Sequence, residues 1–161
     1  MSVLLNVPGS DHLADELTAT GEEVLIVDDD ASFRGLVVAR LERAGARVRE
    51  SGSVREAIEA LERKHVDLVL CDYSMPVANG MNLLAYLEGR AFPGRFVLMS
   101  ASLPPEVAAD ASARGAQTIS KWELLEALYE RRTRTGRPRG NREHTRTKLR
   151  LGAVPVDKGR F

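Results

Sequence analysis

Three consecutive aspartates, Asp28-Asp29-Asp30, follow the apolar run Val24-Leu25-Ile26-Val27, and a fourth, Asp72, follows a second run from Val66 to Cys71. Ser100 closes a third apolar segment, and Lys121 stands just past a fourth. Singly these are ordinary residues, since a carboxylate after a strand commonly caps a helix and a lone lysine is commonly solvated. Together Asp28, Asp29, Asp72, Ser100 and Lys121 put three acids, a hydroxyl and an ammonium at the ends of four runs. Crowded carboxylates repel one another, and a hard divalent cation relieves the repulsion. Magnesium takes oxygen ligands octahedrally and keeps several waters, which suits a few Asp side chains and a phosphate. A carboxylate is also a nucleophile toward phosphorus, giving an acyl phosphate. Such a transfer needs in-line positioning and cancellation of charge on the equatorial oxygens, which a metal, a hydroxyl donor and a lysine supply.

These groups cooperate only if the chain gathers the run ends. Val24–Val27 is short, apolar and β-branched, as expected for a strand buried on both faces. Phe33, Leu36, Val37, Leu41 and Ala44 then recur at helical spacing, with Gly45 placed to stop the helix. Arg47–Glu50 predicts a half-exposed strand with Val48 inward. Ser53 and Glu56 form an S-x-x-E capping box ahead of Ala57, Ile58 and Leu61. The buried run Val66–Cys71 leads through Asp72 into a loop containing Pro76, Asn79 and Gly80, and a third helix carries Met81, Leu84 and Leu87. Arg95–Met99 predicts a fourth strand. Pro104-Pro105 suits the first turn of a fourth helix, where missing N–H groups are harmless. Ala116–Ile119 predicts a weaker fifth strand, followed by a short helix from Trp122 to Arg131. Five closely spaced strand–helix units imply an α/β fold with a parallel sheet covered on both faces. Ligands of such sheets sit at the carboxyl ends of the strands, near the point where strand order reverses.

Residues 22–132 resemble the receiver domains of two-component response regulators. The likeness rests on Val24-Leu25-Ile26-Val27-Asp28-Asp29-Asp30 with Arg34, on Asp72-Tyr73-Ser74-Met75-Pro76 with Gly80, on Met99-Ser100-Ala101, and on Ser120-Lys121. It implies a flavodoxin-like, doubly wound five-stranded sheet of order 2-1-3-4-5. It also implies a magnesium-dependent switch that takes a phosphoryl group from a histidine kinase or phosphotransfer protein and passes the signal to a downstream protein. By position, Asp72 is similar to the phosphoacceptor. Asp28 and Asp29 are similar to the acidic pair, with Asp29 the direct magnesium ligand and Asp28 acting mainly through water. Asp30 is expected to cap the first helix. The backbone carbonyl of Ser74 resembles the third protein ligand, Ser100 the hydroxyl that meets the phosphoryl group, and Lys121 the lysine that pairs with Asp72 and then with phosphate.

Two positions depart from the family pattern. The residue after the lysine is usually a proline in a cis peptide, and here it is Trp122. A cis bond before a non-proline residue costs about 2.5–4 kcal/mol, so a trans bond and an altered loop are expected. Thr118 stands where the family often has an aromatic switch residue. His12, His65 and His144 are scattered, which argues against a metal cluster or relay histidine. Phe33, Phe92 and Phe96 are expected in the core, and no glycine-rich phosphate loop is present.

Charge divides the chain. Residues 1–130 carry 21 acids against 12 Lys and Arg, whereas residues 131–161 carry 11 basic residues against Glu143 and Asp157. Residues 1–21 are expected to be a flexible leader and residues 133–161 a basic, disordered tail, because neither sustains an apolar periodicity. The single cysteine, Cys71, is expected to be a buried small side chain in a reducing compartment. With no membrane-length apolar run and no basic segment before Arg34, a cytoplasmic protein without membrane insertion is expected. Three other readings compete with the switch. An aspartate-nucleophile phosphohydrolase would carry an acid two residues after Asp72, where Ser74 stands. A phosphorylation-independent interaction module would not need the full set of site residues. Nucleic-acid contact would use the basic tail, which is too short for a helix-turn-helix domain with its own core.

Overall fold

Five strands pair in parallel in the order β2-β1-β3-β4-β5: β1 (Glu23–Val27), β2 (Arg47–Ser51), β3 (Leu68–Asp72), β4 (Arg95–Ser100) and β5 (Gln117–Ser120). Between and after them come α1 (Ala31–Arg43), α2 (Val54–Arg63), α3 (Gly80–Glu88), α4 (Pro105–Ala113) and α5 (Lys121–Thr135). The structure is a computed structural model describing residues 21–135, with side chains described through Tyr129. The expected leader, and the tail beyond residue 135, lie outside the described residues.

The unbroken apolar runs follow from a sheet with two buried faces. Alternate strand residues go to opposite sides. Leu25, Val27, Val69, Cys71 and Leu98 meet Ala57, Leu83, Leu87 and Ala111 of α2, α3 and α4. Val24, Ile26, Leu70, Val97 and Met99 meet Val37 and Leu41 of α1 and Leu124 and Leu128 of α5. Strand order reverses between β1 and β3, so the carboxyl ends of these two central strands flank the expected ligand crevice.

Local signals set where each helix begins. Asp30 caps α1, its Oδ1 accepting from the N–H groups of Ser32 (2.9 Å) and Phe33 (3.1 Å). After α1, Gly45 takes φ 97°, a left-handed conformation that costs glycine little. Val37 and Leu41 are fully buried, each contributing roughly 1.5–3 kcal/mol of hydrophobic stabilisation. Leu36, expected on the same face, is instead 47% exposed. Consecutive helical residues are turned by about 100°, and the buried stripe is centred on Val37 and Leu41. The capping box at α2 is shifted by one residue. Ser53 Oγ accepts from Glu56 N–H, but the Glu56 carboxylate accepts from Gly52 N–H rather than from Ser53.

The strand ends also differ from expectation. Asp72 and Ser100 are the last residues of their strands rather than the first residues beyond them, because Asp72 still pairs with Met99 and Ser100 with Ser120. The last helix begins at Lys121 and runs to Thr135, past the expected end at Arg131.

Candidate functional site

The sheet delivers the acids by register. β1 aligns Val27 with Cys71 of β3, so the residues that follow, Asp28 and Asp72, emerge side by side at the carboxyl rim. Both are almost wholly buried, at 0% and 3% exposure, while Asp29 is exposed. Carboxylate oxygens of Asp28, Asp29 and Asp72 all lie within 4.8 Å of one another. Among the described residues this is the one such group of acids, and His65 belongs to no cluster of that kind. His65 pairs instead with Asp67 at 2.6 Å.

Each acid is held differently. Asp28 Oδ1 accepts from Asp30 N–H at 2.8 Å, which folds the acidic run into a tight turn. Asp28 also offers its carbonyl to Arg34, whose Nη1 donates to it at 2.6 Å while its Nε reaches Glu50 at 3.2 Å. Arg34 thus ties the β1–α1 turn to the end of β2. Sequence reading left its role unassigned, although the side chain lies one helical turn beyond the Asp30 cap. Asp72 Oδ1 accepts from Ser74 N–H at a long 3.4 Å. Behind Asp72, Gly80 packs so closely that an added Cβ would stand 2.7 Å from the Asp72 carbonyl oxygen. The loop between them carries Val77 in a left-handed conformation at φ 71°, which a β-branched residue adopts only under strain. No sequence signal marked it.

Lys121 balances the charge. Its Nζ lies 2.7 Å from Asp28 Oδ2 and 3.3 Å from Asp72 Oδ2, so the expected partner Asp72 is met but Asp28 is closer. The ammonium also stands 4.6 Å from the centre of the Phe33 ring. Phe33 is half-buried, packed against the core cluster of the α1–α5 face as expected and also bordering the site. Burial, and then the neighbouring Asp28, push the Asp72 carboxyl above its usual range, with Lys121 pulling the other way. Burial alone would lower the Lys121 ammonium, but the close carboxylates of Asp28 and then Asp72 outweigh it and raise the group. Cys71 is buried and its thiol is pushed well up by burial and by the adjacent acids, which leaves it an inert packing group.

The right-hand side of the rim is organised by local hydrogen bonds. Ser100 Oγ donates to the Ser102 carbonyl at 3.0 Å and accepts from Ser102 N–H at 3.2 Å, so its hydroxyl is engaged with the β4–α4 loop. A cavity of about 160 Å³ opens beside it, lined in part by Leu103, Ala108 and Thr118. The peptide before Trp122 is trans, as expected. The altered junction is nevertheless ordered by a second capping box, in which Ser120 Oγ accepts from Glu123 N–H (3.1 Å) and Glu123 Oε2 accepts from Ser120 N–H (3.0 Å). These bonds from Ser120 hold the Glu123 carboxyl below its usual range. The S-x-x-E pattern of Ser120-Lys121-Trp122-Glu123 is the sequence signal for this box.

The donor set fits a hard divalent cation: three convergent carboxylates, two of them buried, share a single ammonium. Residues 24–131 match the family model of the response regulator receiver domain, and the chain belongs to that family. A protein-glutamate methylesterase/protein-glutamine glutaminase of Paramagnetospirillum magneticum is 41% identical over 96 residues, which make up 58% of this chain and 25% of that protein. The Regulator of RpoS of Escherichia coli is 32% identical over 82 residues, 51% of this chain and 24% of that protein. The chain therefore spans about a quarter of the length of these relatives. Among solved structures, the signal receiver domain of the response regulator NarL from Mycobacterium tuberculosis is 27% identical with a TM-score of 0.61, covering 74% of this chain and all of that one. Chemotaxis protein CheY4 of Vibrio cholerae is 26% identical with a TM-score of 0.62, covering 72% of this chain and 98% of that one. Among the described residues, no helix is long and apolar enough to cross a membrane.

Proposed function

We propose that this receiver is a phosphorylation switch in which Asp72 accepts a phosphoryl group from the phosphohistidine of a sensor kinase or phosphotransfer protein. The observation that carries this reading is the buried convergence of Asp28 and Asp72 on one lysine, with Asp29 at the open edge. A carboxylate oxygen of Asp72 attacks phosphorus, and the phosphorus–nitrogen bond to the donor imidazole breaks, its electron pair returning to nitrogen. No oxidation or reduction is involved. Magnesium, held by Asp28, Asp29, Asp72 and the backbone carbonyl of Ser74, would neutralise the negative charge that converges during transfer. Lys121, already between the two buried acids, supplies a cation to the incoming oxygens. Ser100 donates to the phosphoryl group once its hydroxyl leaves Ser102, which connects the modified acid to the β4–α4 loop. Water later attacks the phosphorus of the acyl phosphate, releasing inorganic phosphate and restoring the carboxylate.

Output is partner binding, in the manner of a single-domain response regulator. The charge and acceptor oxygens added at Asp72 shift the loops after β4 and β5, and a downstream protein reads that shift. The test is intact-mass analysis of the full chain with a small acyl phosphate donor, with and without magnesium. Labelling that needs both magnesium and Asp72 supports the switch. Equal labelling of wild type and Asp72→Asn rejects the assignment.

A further inference from the structure

Lys121 starts from the edge of the sheet, yet its ammonium lies between Asp28 after β1 and Asp72 on β3, neither of which neighbours β5. The direction of that reach is set where the chain turns from strand to helix, and α5 begins at Lys121 with no residue intervening after β5. The strand alone offers a weak anchor. It has four residues, one neighbouring strand and a single buried side chain, Ile119. The junction is instead fixed by the reciprocal hydrogen bonds of Ser120 and Glu123, which pair two donors that a helix start otherwise leaves unmet. A carboxylate in the first turn also offsets the cation at the first helical position, where the helix dipole opposes positive charge. A helix starting one residue later would release Lys121 from helical geometry and redirect its side chain.

We propose that Glu123 is a positioning residue of the phosphoryl-transfer site, its cap with Ser120 holding the start of α5 so that the Lys121 ammonium stays between Asp28 and Asp72. This rests on Asp72 being the phosphoacceptor, but part of its test is independent of that reading. The chain has four lysines, so the ammonium signal of Lys121 is readily assigned by ¹H–¹⁵N NMR on the full, metal-free chain with no donor present. Three variants separate positioning from simple loosening. Glu123→Ala removes the cap, Glu123→Gln keeps an oxygen that accepts the same hydrogen bond, and Ala127→Gly loosens the same helix away from the junction.

In the wild type the held ammonium gives a slowly exchanging signal. That signal is lost in Glu123→Ala, restored in Glu123→Gln and kept in Ala127→Gly. Labelling by acetyl phosphate with magnesium slows roughly fivefold in Glu123→Ala and stays near wild type in the other two. The proposal is overturned if the wild type lacks the signal, if Glu123→Ala retains both signal and rate, or if Ala127→Gly loses them equally. If the signals follow the expected pattern while no wild-type chain is labelled at Asp72, the phosphoacceptor reading fails and the positioning of Lys121 by Glu123 stands.

Discussion

The centre and the edge of the sheet place their functional groups by different means. Asp28 follows and Asp72 ends a central strand that is paired on both sides, and every residue of β3 is buried. Their positions are consequences of register and core packing, so little can move without disturbing two helical layers. Ser100 and Lys121 belong to the β4–β5 side, where the outer strand has one neighbour and only one buried residue. There the direction of the Ser100 hydroxyl and the start of α5 depend on pairs of local hydrogen bonds: Ser100 with Ser102, and Ser120 with Glu123. The acidic centre is therefore fixed by the sheet, while the side that the proposed switch would use to report its state is held by bonds that can be exchanged.

Substitutions at the centre should give the largest effects. Asp72→Asn abolishes labelling by an acyl phosphate, and intact mass shows no adduct where wild type shows one. The same change should stabilise the fold at neutral pH. A buried acid whose carboxyl is raised binds its proton more tightly folded than unfolded, so its contribution to stability falls as pH rises from the ordinary carboxylate range, about 4, through its raised value. The melting temperature of Asp72→Asn should accordingly exceed that of wild type at pH 7, and the gap should close on acidification below that range. Saturating magnesium should also narrow the gap at pH 7, because it stabilises the wild type preferentially. A gap independent of pH would mean that Asp72 is not crowded as the geometry indicates.

Next comes Lys121, whose ammonium belongs to both regions. Lys121→Ala leaves two buried acids facing each other without a cation. Labelling should slow by roughly 10- to 100-fold, and stability should drop by about 2 kcal/mol. The stability loss is kept below that of a fully buried pair because the lysine side chain is 17% exposed. A thermal melt and a labelling time course check both. A variant with wild-type kinetics would show that the central acids work without the edge.

The same contrast decides what the sequence made legible. Apolar runs ending in Asp, Ser and Lys announced the sheet and its rim, because burial on both faces writes itself as continuous hydrophobicity. Asp30 was readable as a cap because it directly precedes a periodic stretch. Leu36 was misplaced because apolar spacing tolerates an error of one residue, which on a helix is about a quarter turn. Strand ends at Asp72 and Ser100 were set by pairing with distant residues, and no local pattern reports that. Arg34 and Phe33 acquire their roles only when α1 is laid against the ends of β1, β2 and β5. The Ser120–Glu123 box is local and visible in principle, and it stands where the family pattern has a cis-proline turn after the lysine.

A smaller effect separates neighbours within the acidic run. Asp29→Ala should weaken magnesium binding by roughly tenfold, since it removes the exposed carboxylate of the cluster. Asp30→Ala should leave magnesium affinity nearly intact but cost about 1 kcal/mol, because Asp30 accepts the two N–H groups at the start of α1. Titration followed by the fluorescence of Trp122, which is exposed in the first turn of α5, reads the first effect, and denaturant unfolding reads the second. Reversed sensitivities would place the metal one residue further along the turn.

The subtlest expectation concerns how far phosphorylation is felt. Ser100 must exchange its bonds with Ser102 to meet a phosphoryl group, so the backbone N–H of Ser102 loses its acceptor and the loop from β4 to α4 should open. At β5 the corresponding pressure meets Thr118, a small side chain beside a cavity of about 160 Å³, and a helix start fixed by Glu123. A ring at this position would have to move with the loop, whereas threonine can leave the cavity to absorb the change. Hydrogen exchange on phosphorylated and unmodified protein should therefore differ mainly over residues 100–106 and less over residues 118–125. Thr118→Phe, by filling the cavity, should raise the response at β5 toward that of the loop. A dominant change in α2, or an equal response at both segments in the wild type, would show that the signal leaves Asp72 by another route.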